Sequence, residues 1–220
     1  MKKKIISVVI LLMIIGLTLI TMSGCTNKSG AKEQLETKSG VEKYLKEQYP
    51  NEQFEIHERE EIELTHYNEK EKKSEVWGTG YSYKVKSKNT NIEFTVKNTK
   101  DLYSGGFGTY YDITNDYSYN ALVKYTEEYN DERIKIEENF NEVRVKLSDF
   151  SSIEELGNVI YDFQTYIYSK EPFKSKSNSS VRASVRIGNE NDELITFYGL
   201  SGNDSVSDIV TYISNQYNRK

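Results

Sequence analysis

Residues 76–96, VWGTGYSYKVKSKNTNIEFTV, decide how the chain folds. Val76 to Lys86 is rich in β-branched and aromatic residues, which suit a pleated, half-buried surface. Gly78 and Gly80 interrupt that run, and glycine inside a strand marks a bulge, a bend or a close backbone approach. Asn89-Thr90-Asn91 then turns the chain, and Ile92, Phe94 and Val96 alternate with polar residues, the period of a strand with one wet face. So short a connection cannot carry a parallel crossover, so the strands run antiparallel. Upstream, Phe54 and Ile56, then Ile62 and Leu64, alternate with charged residues in the same way, and Lys70 to Ser74 is a charged turn. Three strands in sequence make an antiparallel meander.

Helices flank it. Ser39 and Glu42 have capping-box spacing, and Val41, Tyr44, Leu45 and Tyr49 form an apolar stripe that Pro50 ends. After the meander, Lys100 to Tyr111 (KDLYSGGFGTYY) reads as a loop. A helix is expected from about Asn115 to Tyr129, with Leu122, Tyr125 and Tyr129 on one side. Farther on, Ile134 and Ile136, then Val143, Val145 and Leu147, read as extended. Ser152 to Glu155 is a second capping box, opening a helix with the stripe Ile153, Leu156, Ile160, Phe163 and Ile167. Pro172 and the serine-lysine stretch 175–180 end that segment. A hairpin is expected from Val181, Ala183, Val185 and Ile187, through Gly188 to Asp192, and back along Leu194, Ile195 and Phe197. Ser205 with Asp208 caps a last helix carrying Val206, Ile209, Val210 and Ile213.

Helices segregated onto one face of antiparallel sheet make an α+β fold. A helix on a curved meander resembles the cystatin-like and NTF2-like folds, which implies such a first half followed by a second small α/β unit. The expected units are residues 39–130 and 131–220, with one continuous sheet across both halves as the alternative.

Ahead of these lie Lys2, Lys3 and Lys4, an almost unbroken Ile, Leu, Val and Met run from Ile5 to Ile20, and Met22-Ser23-Gly24-Cys25. A basic start, an apolar middle and small residues before a cleavage point together make a secretory signal. The last four residues resemble the lipobox of bacterial lipoproteins, with Met22 where that family usually has leucine. The resemblance implies that the Cys25 thiol receives a diacylglyceryl group and that a dedicated signal peptidase removes residues 1–24. An uncleaved membrane helix and secretion with a free thiol are the alternatives. Residues 25–38 then form a polar, lipidated tether. Positive charge stays on the cytoplasmic side, so the body is expected on the outer face of the cell membrane, held by lipid. The lysine- and asparagine-rich, proline-poor composition is similar to that of low-GC Gram-positive bacteria.

Without residues 1–24 the chain has 29 − 3 = 26 basic against 34 acidic residues, a balance of −8. That excess argues against nucleic acid as a partner and against adhesion to anionic lipid through basic patches. Cys25 is the only cysteine, so no internal disulfide forms. Eighteen tyrosines are present against one tryptophan, and tyrosine suits either half-exposed sheet or a binding surface.

Familiar catalytic patterns are missing. There is no G-x-S-x-G, P-loop or G-x-G-x-x-G. His57 and His66 are the only imidazoles, nine residues apart, and on one unbroken strand they would face opposite sides. No metal site, cofactor or catalytic residue is therefore expected. Asn189 to Asp192 does not match a calcium-binding EF-hand loop and reads as a hairpin turn. The candidate contact surface is the glycine-rich aromatic stretch with Tyr103, Phe107, Tyr110 and Tyr111, since clustered exposed aromatics suit a partner. The expected function is a non-catalytic lipoprotein that binds a protein or cell-wall ligand, in the manner of an immunity protein or inhibitor. The alternative is an extracytoplasmic hydrolase of cell-wall glycan using two carboxylates 5 to 10 Å apart.

Overall fold

The computed structural model of the chain describes residues 37–101, 110–137, 140–175 and 182–218. The 76–96 stretch forms a hairpin within a four-stranded antiparallel meander. Its strands are β1 (Phe54–Asn68), β2 (Lys73–Ser87), β3 (Glu93–Asp101) and β4 (Tyr110–Asn115), in spatial order β1-β2-β3-β4. Asn91 takes the left-handed conformation in the turn between β2 and β3, at φ 58°, which asparagine tolerates better than most residues. The register Ile56↔Val85↔Phe94 and Tyr83↔Val96 gathers one face of the sheet, and all five residues are buried.

Both β1 and β2 carry a bulge. Leu64 pairs with Gly78 and Thr65 with Val76, so Trp77 is the extra residue on β2, beside the glycines that signal it. Ile56 pairs with Val85 and Arg59 with Tyr83, so His57 and Glu58 together oppose Lys84. The premise of an unbroken strand between His57 and His66 therefore fails.

Helices α1 (Lys38–Gln48) and α2 (Tyr117–Tyr129) cover the buried face with Val41, Leu45, Tyr49, Tyr117, Ala121 and Leu122. A side chain as enclosed as Leu122 contributes about 1.5–3 kcal/mol by leaving water. The cap of α1 is Thr37, whose side chain accepts from the Gly40 amide, not Ser39. The helix thus begins before the expected box, and Ser39 lies within its first turn.

The second sheet is separate from the first, which excludes one continuous sheet. It consists of β5 (Lys135–Ile136), β6 (Glu142–Lys146), β7 (Ser184–Gly188) and β8 (Leu194–Gly199), in that spatial order. It is mixed rather than purely antiparallel. β6 and β7 run parallel, with α3 (Ile153–Tyr168) in the connection between them, as a parallel pair requires. Leu147 belongs to a short 3-10 turn (Leu147–Asp149), not to β6. Ser152 caps α3 as expected, but Glu155 bonds the Ser151 amide and hydroxyl at 2.7 and 2.6 Å. At α4 (Val206–Tyr217) the expected capping box between Ser205 and Asp208 is complete.

Val143, Val145, Val185, Ile187 and Tyr198 face α3 and α4, which bury Leu156, Ile160, Phe163, Ile167, Ile209 and Ile213. On β8 the buried residues are Thr196 and Tyr198, and Leu194 and Phe197 are exposed. The apolar letters thus mark the strand without marking its inner face. Val181 lies outside the described residues.

The architecture is α+β, with α2 as the shared wall. Its ring Tyr129 meets Phe163 of α3 at 5.3 Å, and Tyr125 meets Phe173 at 6.4 Å. The Tyr125 hydroxyl also donates to the Glu171 carbonyl at 2.6 Å. Among the described residues no helix is long and apolar enough to cross a membrane.

Candidate functional site

Cys25, Tyr103 and Phe107 lie outside the described residues. Tyr110 and Tyr111 are not loop residues. They open β4, where their backbones pair with Asp101 and Lys100. β4 therefore begins opposite Asp101, at the end of the first sheet away from the β2–β3 turn.

That end of the sheet contains a defined row of residues. Glu61 pairs with Tyr81, Tyr81 with Asn98 and Asn98 with Ile113. The Arg59 guanidinium lies over the Tyr81 ring at 4.7 Å, close enough for a cation–π attraction. Asn98 is 4% exposed, and its Oδ1 has no hydrogen-bond partner. Gly80 is required here, because a Cβ would collide with the Asn98 carbonyl oxygen.

Polar residues elsewhere fasten elements together. Asn115 Oδ1 accepts from the Tyr49 hydroxyl at 2.8 Å and from the Tyr117 amide at 3.2 Å. Its Nδ2 donates to the Tyr44 hydroxyl at 2.9 Å. Burial pushes the Tyr49, Tyr117, Tyr125 and Tyr198 phenols up, so each stays protonated and able to donate. Many of the tyrosines thus serve the core, with their polar tips bonded.

Glu52 is an enclosed acid of the first half. It is 7% exposed, its Oε2 accepts from the Ser87 hydroxyl at 2.5 Å, and its Oε1 has no partner. Burial pushes its carboxyl above the usual range. Hydrogen bonds from Ser87 and Tyr117 oppose that rise, and the nearby Glu171 charge adds to it. Composition and periodicity contain no signal that singles out Glu52 among the acids.

Open grooves lie on the surface among the described residues. One, of about 560 Å³, is bordered by His57, Glu58, Lys84, Glu93 and Asn120. Lys84 donates to Glu58 at 3.0 Å and holds that carboxyl below its usual range, the wrong direction for a general acid. The other, of about 400 Å³, lies between the end of α2 and β5 and includes Asp131, Lys135 and Arg144. Asp131 is bonded by Arg133 at 2.8 Å, and Arg144 by Asp192 at 2.8 Å. Neither groove is lined by Glu52 or Glu171. Among the described residues no group of three or more His, Cys, Asp or Glu side chains could hold a metal ion.

Of the carboxylates bordering these grooves, Glu58, Glu93 and Asp131 are ion-paired, and the raised one, Glu52, is enclosed. No family model, no curated protein and no solved structure matches the chain.

Proposed function

We propose that the protein is a lipoprotein anchored at the outer face of the cell membrane, where its α+β body acts as a non-catalytic binding module for a protein or cell-wall ligand. One observation carries the reading: the basic start, the apolar run and Met22-Ser23-Gly24-Cys25 precede a polar stretch, and the first helix cap follows at Thr37. An acylated Cys25 would leave about a dozen residues between lipid and body, a reach of a few tens of ångströms at most. Two or more buried acyl chains make such an anchor stable where one is marginal. The ion pairs that hold Glu58 and Asp131 at the described grooves support binding rather than hydrolysis.

The test is mass spectrometry of the native polypeptide together with membrane fractionation of Cys25→Ser. A mature N-terminus at Cys25 with added acyl mass, and release or non-processing of the variant, are expected. Residues 1–24 still attached in the native protein, or unchanged membrane retention of the processed variant, would overturn the anchor.

A further inference from the structure

Every open sheet has two edges, and an unpaired edge is a template for another strand. Among the described residues, three of the four sheet edges are short or capped. β5 is two residues long, and β4 is six residues long and leads directly toward α2. β8 has its Phe197 carbonyl taken by the Tyr212 hydroxyl of α4 at 2.8 Å. The fourth edge, β1, is fifteen residues long. Along it His57, Glu58, Arg59, Glu60 and Glu61 are consecutively exposed, so both faces of the strand are in water there.

Charge is what distinguishes this edge. β1 carries Glu55, Glu58, Glu60, Glu61 and Glu63 against Arg59, a formal balance of 1 − 5 = −4. Lys84 from β2 answers Glu58 and Glu60, at 3.0 and 3.6 Å. Arg59 is drawn over Tyr81, and Glu55, Glu61 and Glu63 set the sign of the remainder. A second copy of β1 added to this edge would place like charges opposite one another, which destabilises a strand pair. The same repulsion rejects any acidic segment and favours a cationic one.

We propose that the β1 edge is a strand-addition site for an extended, lysine- or arginine-rich polypeptide segment. Backbone hydrogen bonds to β1 supply the docking, and the glutamates supply the selection. This inference rests on the binding-module reading, names the partner's chemistry and does not depend on the anchor.

The test uses the full-length chain in a neutral detergent and a fluorescent ten-residue peptide alternating lysine and threonine. Two control peptides accompany it: a glutamate–threonine counterpart, and the lysine peptide N-methylated at alternate amides, which keeps charge and removes hydrogen bonding. The lysine peptide is expected to bind about tenfold or more tightly than either control, with new amide-exchange protection confined to residues 55–65. Glu61→Lys with Glu63→Lys should weaken binding by a similar factor while leaving the melting temperature within about 2 °C. No binding of the lysine peptide, equal binding of the N-methylated peptide, protection elsewhere, or unchanged binding by the double variant would each overturn the proposal. If the double variant still captured the same partner from intact cells as the wild type, the strand-edge inference would fall and the binding-module reading would stand.

Discussion

Gly157 lies buried in α3 at the contact with α4, and an added Cβ would strike Cγ2 of Val210. Two opposing effects meet at this position. Alanine is favoured over glycine in a helix interior by about 1 kcal/mol. Forcing a methyl into a filled contact costs about 1–3 kcal/mol, toward the lower end here because a half-buried valine tip can shift. Gly157→Ala alone is therefore expected to destabilise the protein by about 0–2 kcal/mol. Val210→Ala removes the obstructing methyl, and the next nearest atoms are Val210 Cβ and N at 3.7 Å, ordinary contacts. In that background Gly157→Ala should stabilise by about 1 kcal/mol. The sign reverses, with a coupling of about 1–3 kcal/mol. Urea or thermal melts of the four proteins measure the cycle, each kcal/mol moving Tm by about 2–4 °C for a chain of this size. A rise in Tm for Gly157→Ala alone, or simple additivity of the two changes, would refute the packing argument.

Other substitutions probe separate parts of the fold. Glu52→Gln removes a buried carboxylate whose folded pKa is raised above 4.5. The wild-type carboxyl contributes its stability below that ordinary value and loses it as pH rises through the raised one. The variant should thus gain on the order of 1 kcal/mol at neutral pH and nothing in acid, which melts at several pH values would detect; a variant that gained only in acid would contradict the assignment. Gly80→Ala should cost about 1–3 kcal/mol by pushing β2 against the Asn98 carbonyl, and a neutral result in a urea titration would show that β3 yields freely. Ser205→Ala removes the cap of α4 and should lower stability by about 1 kcal/mol, with earlier amide exchange in the first turn of that helix and not in α3.

The meander was legible because its signals are local. Strand alternation, the Asn89-Thr90-Asn91 turn and the two glycines of β2 all act within a few residues. The α3 stripe was legible for the same reason, since Leu156, Ile160, Phe163 and Ile167 face one way whatever they pack against. Features set by distant partners were not. β4 is short and follows glycines, so its β-forming Tyr110, Tyr111, Ile113 and Thr114 are a weak local signal beside the loop residues; pairing with β3 makes them a strand. On β8 the inner face contains Thr196, and Phe197 points outward, so hydrophobicity alone put the alternation out of phase. Glu155 looked like half of a capping box, yet its carboxylate instead joins Ser151 to Arg133, 2.9 Å away on the segment before β5. Ser39 offers the same capping chemistry as Thr37 two residues later, so local chemistry does not choose between them.

The candidate surface shows the same division in a sharper form. Aromatic clustering drew attention to the β3–β4 connection, but tyrosine has two uses that composition cannot separate. Tyr49, Tyr117 and Tyr125 are buried with bonded hydroxyls, so part of the high tyrosine count is met by the core. The acids invited the opposite error. Runs such as Glu58 to Glu63 read as solvated surface, and by exposure they are. Topology adds what the letters lack: these glutamates lie along the longest sheet edge, while a tyrosine hydroxyl caps the edge of β8. Beyond the bulge at His57 and Glu58, charge protects β1 against its own kind, and protection by charge is selective where protection by a cap is not. A surface that repels copies of itself while leaving its backbone groups open is, by the same physics, receptive to an extended chain of opposite sign.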